Sequence, residues 1–221
     1  MAVICDGMGG LAKGELASSY AVSTFDHRFS GNLEVLFEVG HPKALKDIWL
    51  ETLNGINIKI RDYSHSHGFE MGTTFTGLLI IDDEMLVVHV GDSRIYHIGS
   101  EAVVLTEDHT YVAREVSRGN MSPEAARTDK RRNMLLQCIG ASDEIHPQIV
   151  SDIVTPGIYL VCSDGFRHEL GKEEMAQTFD PHRVTDKEEM TRQIRAVTEL
   201  VKERGEQDNI SAILIKAEDR R

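Results

Sequence analysis

Met1-Ala2-Val3-Ile4-Cys5-Asp6-Gly7-Met8-Gly9-Gly10-Leu11-Ala12-Lys13-Gly14 runs an apolar strand into a carboxylate, then a glycine-rich turn, then a helix. Val3 and Ile4 are β-branched and suit a buried strand. Asp6 stands where that strand ends. Gly7, Gly9 and Gly10 carry no Cβ, so backbone groups there can approach a ligand closely. A strand-end carboxylate beside an exposed carbonyl is half of a hard-cation site. The same residues also describe a tight strand-to-helix turn with Asp6 as a helix cap, and this stretch alone leaves both readings open. Two further strand-associated aspartates, far along the chain, favour the cation site.

Composition narrows the function classes. The 221 residues suffice for one domain with its own core, and 1–221 reads as a single domain without repeat, low-complexity tract or linker. Hydrophobic and charged fractions of 41% and 27% are ordinary for a globular chain. A net charge of −12 argues against nucleic acid as a partner. The three cysteines, Cys5, Cys138 and Cys162, are widely spaced in apolar stretches. They fit core filler in a reducing compartment, not a disulfide framework. No apolar run approaches a membrane span and no signal peptide precedes the first strand, so the expected location is cytoplasmic.

Outward from Gly14, a helix is expected with Leu16, Tyr20 and Thr24 in one row and Ala17, Ala21 and Phe25 in the next, together one apolar face. Gly31-Asn32 breaks it, and the stretch to Gly40 reads as a connector. Pro42 opens a long amphipathic helix through Leu45, Ile48, Trp49, Thr52, Leu53, Ile56 and Ile60, ending near His65 and His67, which read as solvated. Strands are expected at 73–81, 85–90, 94–98 and 101–105, joined by short turns into one antiparallel meander. Gly91-Asp92-Ser93-Arg94 interrupts it with a second strand-end carboxylate, either paired with Arg94 or a further ligand. Helices flank Gly119 and Asn120, and the basic run Lys130-Arg131-Arg132 is either a solvated face or a guide for an anionic substrate. Strands are expected at 149–154, 157–162 and 210–215, with helices at 173–179 and 187–203.

Asp6, Asp164 and Asp208 each stand at the edge of an apolar strand. If the three ends meet, their like charges raise one another's pKa unless a cation neutralises them. With no His or Cys at ligand spacing, an all-oxygen donor set points to Mg²⁺ or Mn²⁺ over Zn²⁺. Such ions activate water and clamp phosphate oxygens, so no nucleophilic triad is needed. An aspartyl-phosphate mechanism wants a second Asp two residues after the nucleophile, and Asp6 has Met8 there.

Six stretches in order carry a family resemblance: 5–10 (Cys-Asp-Gly-Met-Gly-Gly), 71–74 (Met-Gly-Thr-Thr), 90–94 (Val-Gly-Asp-Ser-Arg), 105–109 (Leu-Thr-Glu-Asp-His), 162–165 (Cys-Ser-Asp-Gly) and 207–211 (Gln-Asp-Asn-Ile-Ser). With them the chain resembles the metal-dependent protein phosphatases of type 2C, bacterial branch, over nearly its whole length. The resemblance implies an αββα sandwich, an α+β fold of two antiparallel sheets flanked by helix pairs with metals at one end. It implies that Asp6 bridges two metals, that the Gly7 carbonyl binds the second, that Asp164 and Asp208 complete the first, and that Asp92 with Asp164 holds a third, weaker one. The region from His109 to about Arg132 resembles a mobile flap. The implied reaction is hydrolysis of phosphoserine or phosphothreonine in a protein substrate by a metal-bridging water.

Three departures qualify the match. The family carries two strands before the Asp6 strand, with a phosphate-binding Arg and an acidic metal ligand, and the chain begins within the Asp6 strand. Arg94, Arg167 and Lys13 are candidate replacements for that Arg, and the sheet edge so exposed invites pairing with another chain. Met8 stands where some members place a His, and Phe166-Arg167-His168 replaces smaller or acidic residues. Two expectations follow: an active phosphoprotein phosphatase, or an impaired member that binds phosphoproteins or a partner.

Overall fold

A computed structural model describes residues 1–8, 13–29 and 42–219. Gly9 and Gly10 of the opening turn and the connector at 31–40 lie outside the described residues. In chain order the elements are β1 (Ala2–Ile4), α1 (Gly14–Phe29), α2 (Pro42–His67), β2 (Phe75–Ile81), β3 (Glu84–Val90), β4 (Arg94–Ile98) and β5 (Ala102–Val104). They continue as α3 (Tyr111–Ser117), α4 (Pro123–Thr128), β6 (Gln148–Ile153), β7 (Gly157–Cys162), α5 (Asp164–Arg167), α6 (Lys172–Thr178), α7 (Lys187–Glu203) and β8 (Ala212–Ala217).

The central strands are apolar on both faces, and the period of two sorts their side chains into separate cores. In β3, Leu86, Val88 and Val90 pack with Ala17, Ala21 and Phe25 of α1 and Leu45, Trp49, Leu53, Ile56 and Ile60 of α2. Met85 and Val87, on the other face, pack with Ala2 and Ile4 of β1, Ile95 of β4, and Tyr159 and Val161 of β7. In β7 the alternate residues Ile158, Leu160 and Cys162 turn outward to Met175 of α6 and Val197 and Val201 of α7. Three apolar layers therefore separate four structural ones, and the expected αββα sandwich is observed.

Among the described residues each sheet has four strands, in the orders β1-β2-β3-β6 and β5-β4-β7-β8. The expected single meander is thus divided. The chain leaves the first sheet after Val90 and enters the second at Arg94. Both halves of the stretch are runs of adjacent antiparallel strands, so local pattern could not separate them. Gly91 makes the crossing with φ +117°, and a Cβ there would lie 2.6 Å from the Thr74 side chain. Asp92 thereby belongs to an inter-sheet crossover, not a hairpin.

The α1 reading is also corrected. Ala17, Ala21, Phe25 and Phe29 are its buried stripe, while Leu16 and Tyr20 are about 40% exposed. The long α2 carries the expected stripe, and Trp49 anchors an aromatic cluster with Phe25, Phe29 and Phe75 at centroid distances of 4.5 to 6.1 Å. Gly77 in β2 makes room for it, since a Cβ would meet Trp49 Cζ3 at 2.6 Å.

Candidate metal centre

Strand direction brings the aspartates together. β1 and β3 both pair antiparallel with β2, so their C-terminal ends lie at one end of the first sheet. In the second sheet Arg94 of β4 pairs with Cys162 of β7, and Cys162 with Ala212 of β8. The end of β7 and the start of β8 therefore meet where the chain crosses between sheets. Asp6, Asp92 and Asp164 each follow their strand by two residues, and Asp208 precedes β8 by four.

Each is fixed by its local backbone. The Asp6 N–H donates to Thr74 Oγ1 (2.9 Å), and the Asp6 carbonyl accepts from Thr73 Oγ1 (2.9 Å) and the Thr74 N–H (2.8 Å). Gly7 packs backbone to backbone on the start of α1, where a Cβ would lie 2.4 Å from the Gly14 carbonyl carbon. The helix-cap alternative fails, because α1 begins eight residues after Asp6. Thr74 Oγ1 also lies 3.2 Å from Ser93 Oγ, tying the Asp6 turn to the crossover.

On the second sheet Ser163 joins the two loops. Its N–H donates to the Ser211 carbonyl (3.0 Å), its Oγ to the Asn209 carbonyl (3.2 Å), and the Ser211 N–H donates back to Ser163 Oγ (3.0 Å). A Cβ on Gly165 would meet the Asn209 carbonyl oxygen at 2.5 Å and Asp208 Cβ at 3.3 Å, so this glycine sets how near Asp164 comes to Asp208. Glu206 Oε1 accepts from the N–H groups of Gln207 and Asp208, both at 2.8 Å. His168, unassigned in the sequence reading, lies between Asp164 Oδ2 (3.7 Å) and Glu206 Oε2 (3.4 Å). His168 directly follows α5, which places it one helical turn from Asp164.

The carboxylates sense one another. Burial, followed by the charges of Asp164, Asp208 and Asp92, pushes the Asp6 carboxyl up to about 7. Burial and Asp164 push Asp92 up to about 7 as well, with Arg167 pulling the other way. Among the described residues no three His, Cys, Asp or Glu side chains close into a ligand cage. The four aspartates form a charge-coupled group, and hard oxygen donors that raise one another's pKa fit a divalent cation. The thiols do not compete: burial pushes Cys162 up to about 12 and Cys5 higher still.

The arginines are placed differently from the sequence expectation. Arg94 does not pair with Asp92. It grips Asp108 through Nε and Nη2, both at 2.7 Å, and its Nη1 reaches the Tyr96 hydroxyl at 3.2 Å. Arg167 Nη2 also reaches Asp108 (3.1 Å) and donates to the Asp92 carbonyl (2.8 Å). Burial works against ionisation of Asp108, yet the hydrogen bonds from Arg94 and the two guanidinium charges hold its carboxyl below the usual range. Lys13 Nζ lies 5.0 Å over the Phe69 ring. All three candidate phosphate ligands therefore have partners within the chain.

Asp108 and His89 were not assigned roles from sequence. Asp108's signal was its place in the 105–109 motif, and a His breaking the apolar run of β3 was the signal for His89. His89 is fully buried; its Nε2 faces the Gly91 carbonyl (3.0 Å), an acceptor only, so Nδ1 accepts from Thr76 Oγ1 (2.8 Å). Burial, then the neighbouring His109, pushes its pKa down to about 3, so it holds the crossover as a neutral ring.

Fold and site together define an αββα protein with coupled aspartates where its two sheets meet. Residues 1–214 match the family model for protein phosphatase 2C, and the chain belongs to that family. It is 30% identical over 218 residues to protein phosphatase PhpP of Streptococcus pneumoniae, covering 97% of this chain and 85% of that protein. The crystal structure of serine/threonine phosphatase Stp1 from Staphylococcus aureus superposes with TM-score 0.88 at 24% identity, covering 98% of this chain and 83% of that one, a likeness of fold. The catalytic domain of PstP, solved with two manganese ions, superposes with TM-score 0.75 at 25% identity, covering 96% and 85%.

Proposed function

We propose that residues 1–221 form one phosphatase domain that hydrolyses phosphoserine and phosphothreonine in proteins, using Mn²⁺ or Mg²⁺ held by Asp6, the Gly7 carbonyl, Asp92, Asp164 and Asp208. The observation that carries this reading is the coupling of Asp6 to Asp164, Asp208 and Asp92. Membership of the protein phosphatase 2C family and likeness to PhpP and manganese-bound PstP support the substrate class and the metal. Divalent cations supply, when bound, a nucleophile at neutral pH and charge stabilisation for the phosphoryl group. The chain's own part is to hold these carboxylates in place. Thr73 and Thr74 fix the Asp6 backbone, Ser163 and Gly165 set Asp164 against Asp208, and the Arg94–Asp108–Arg167 group holds the crossover that presents Asp92. Water adds to phosphorus, the bond to the seryl or threonyl oxygen breaks, and inorganic phosphate and the free hydroxyl are released.

Among the described residues no helix is long and apolar enough to cross a membrane. The reading places the protein in the cytoplasm with a phosphoprotein as its partner. The test is phosphate release from an aryl phosphate and from a phosphopeptide, with and without Mn²⁺. Metal-dependent release abolished by Asp164→Asn supports it. Metal-independent release unchanged by that substitution refutes it, and calorimetric metal binding without turnover reassigns the chain to a binding role.

A further inference from the structure

The basic run at 130–132 takes no part in the metal centre, and its surroundings point to a use. The segment leading to it is fastened beside the carboxylates at both ends. At one, the His109 N–H donates to the Gly91 carbonyl (2.7 Å) and the Gly91 N–H to His109 Nδ1 (3.2 Å), next to Asp92. At the other, Thr73 and Ile139 exchange N–H···O bonds, both at 2.9 Å, and Thr73 holds the Asp6 carbonyl. Between these anchors, 134–136 runs beside 109–111 through the Tyr111 N–H to the Met134 carbonyl and the Leu136 N–H to the His109 carbonyl, both 2.8 Å. Met134 and Leu136 turn their side chains out, 54% and 41% exposed.

The three charges are not equivalent. Arg131 is engaged: its Nε and Nη2 hold Asp129 at 3.0 and 2.8 Å, and its guanidinium lies 4.3 Å over the Tyr111 ring. Lys130 and Arg132 are exposed, and neither forms an ion pair within the described residues; Arg132 Nη1 reaches only the Arg127 carbonyl, at 3.3 Å. Exposed lone cations contribute little to folding. Beside an interface they steer and select an anionic partner. Here an apolar pair continues from the metal centre toward two cations, in a chain whose net charge is −12.

We infer that Met134, Leu136, Lys130 and Arg132 form a docking strip for the polypeptide around the phosphorylated residue. Its substrates carry acidic residues a few positions from the phosphoserine or phosphothreonine, with an apolar residue between. Arg132 and Leu136 are four positions apart, at most about 14 Å of backbone, which an extended peptide covers in about four residues. This inference rests on the phosphatase reading.

The experiment compares two phosphopeptides, identical except for acidic or amide side chains at the flanking positions, alongside an aryl phosphate, with the full chain and Mn²⁺. The expected result is kcat/KM at least about five-fold higher for the acidic peptide, carried by KM and closing in about 0.5 M salt. In the double variant Lys130→Gln, Arg132→Gln that ratio falls toward one, whatever the variant's absolute activity. Equal wild-type kcat/KM on both peptides overturns the strip while aryl phosphate turnover leaves the phosphatase reading standing. Absence of aryl phosphate turnover refutes that reading and the strip with it. A ratio unchanged in the double variant, or binding to anionic vesicles without peptide discrimination, also overturns it.

Discussion

Alanine at Gly165 probes whether backbone contact between two loops sets the metal centre. The added Cβ would lie 2.5 Å from the Asn209 carbonyl oxygen, an atom of the backbone with no rotamer to yield. Reaching the 3.4 Å of ordinary contact requires the 208–209 loop to retreat by about 0.9 Å. Gly165 lies within α5 and is not one of the glycines with positive φ, so alanine suits its backbone and the effect is steric. Overpacking of this kind costs about 1–3 kcal/mol, or roughly 2–12 °C in Tm for a domain of this size. Moving Asp208 by nearly 1 Å from Asp164 lowers kcat/KM by about a hundred-fold. The assays are aryl phosphate hydrolysis across a Mn²⁺ titration, calorimetric Mn²⁺ affinity and thermal unfolding. Gly77→Ala is the control: its Cβ would meet Trp49 at 2.6 Å, away from the metal centre, so it should lose stability while keeping Mn²⁺ affinity. Wild-type kcat/KM and Mn²⁺ affinity in Gly165→Ala would refute the steric argument.

Further tests follow from neighbouring contacts. Asp108→Ala leaves the Arg94 and Arg167 guanidinium groups without their shared partner, at 27% and 10% side-chain exposure, and should destabilise by about 3–5 kcal/mol in urea unfolding; a loss below 1 kcal/mol would show that the group contributes little. Thr74→Val removes the acceptor of the Asp6 N–H, and a loss of about 1–3 kcal/mol with weakened Mn²⁺ binding is expected; unchanged calorimetry would count against Thr74 as a support of Asp6. Asp6 and Asp92 ionise near 7 in the fold against 3.8 as isolated groups. Between about pH 4 and 7 the folded state therefore holds protons that the unfolded chain has released, and the metal-free protein loses stability as pH rises through that window. Its Tm should fall from pH 5 to 7.5, Asp92→Asn should flatten the fall, and Mn²⁺ should raise Tm more at pH 7.5 than at 5. A wild-type Tm profile identical to that of Asp92→Asn would contradict this.

What the sequence alone determined was local and ordered. The unbroken apolar runs at 85–88 and 158–162 specified strands buried on both faces, because a period of two puts such a run on both sides of a sheet. The stripe from Leu45 to Ile60 specified α2, and strand-end placement singled out Asp6, Asp92, Asp164 and Asp208, because carboxylates there are costly to bury without partners. The order of six short motifs carries the family resemblance without reference to the fold. Tertiary structure alone decided which strands share a sheet. One hydrogen-bonded neighbour of each central strand, β6 for β3 and β7 for β4, lies far along the chain, and the crossing at Gly91 depends on its approach to Thr74. It also decided that Arg94 grips Asp108 instead of Asp92, that His168 stands between Asp164 and Glu206, and that Leu16 and Tyr20 face outward. Sequence spacing orders residues along one element. Distances between elements are set by how sheets and helices pack, and the spacing of the four aspartates is a distance of that second kind.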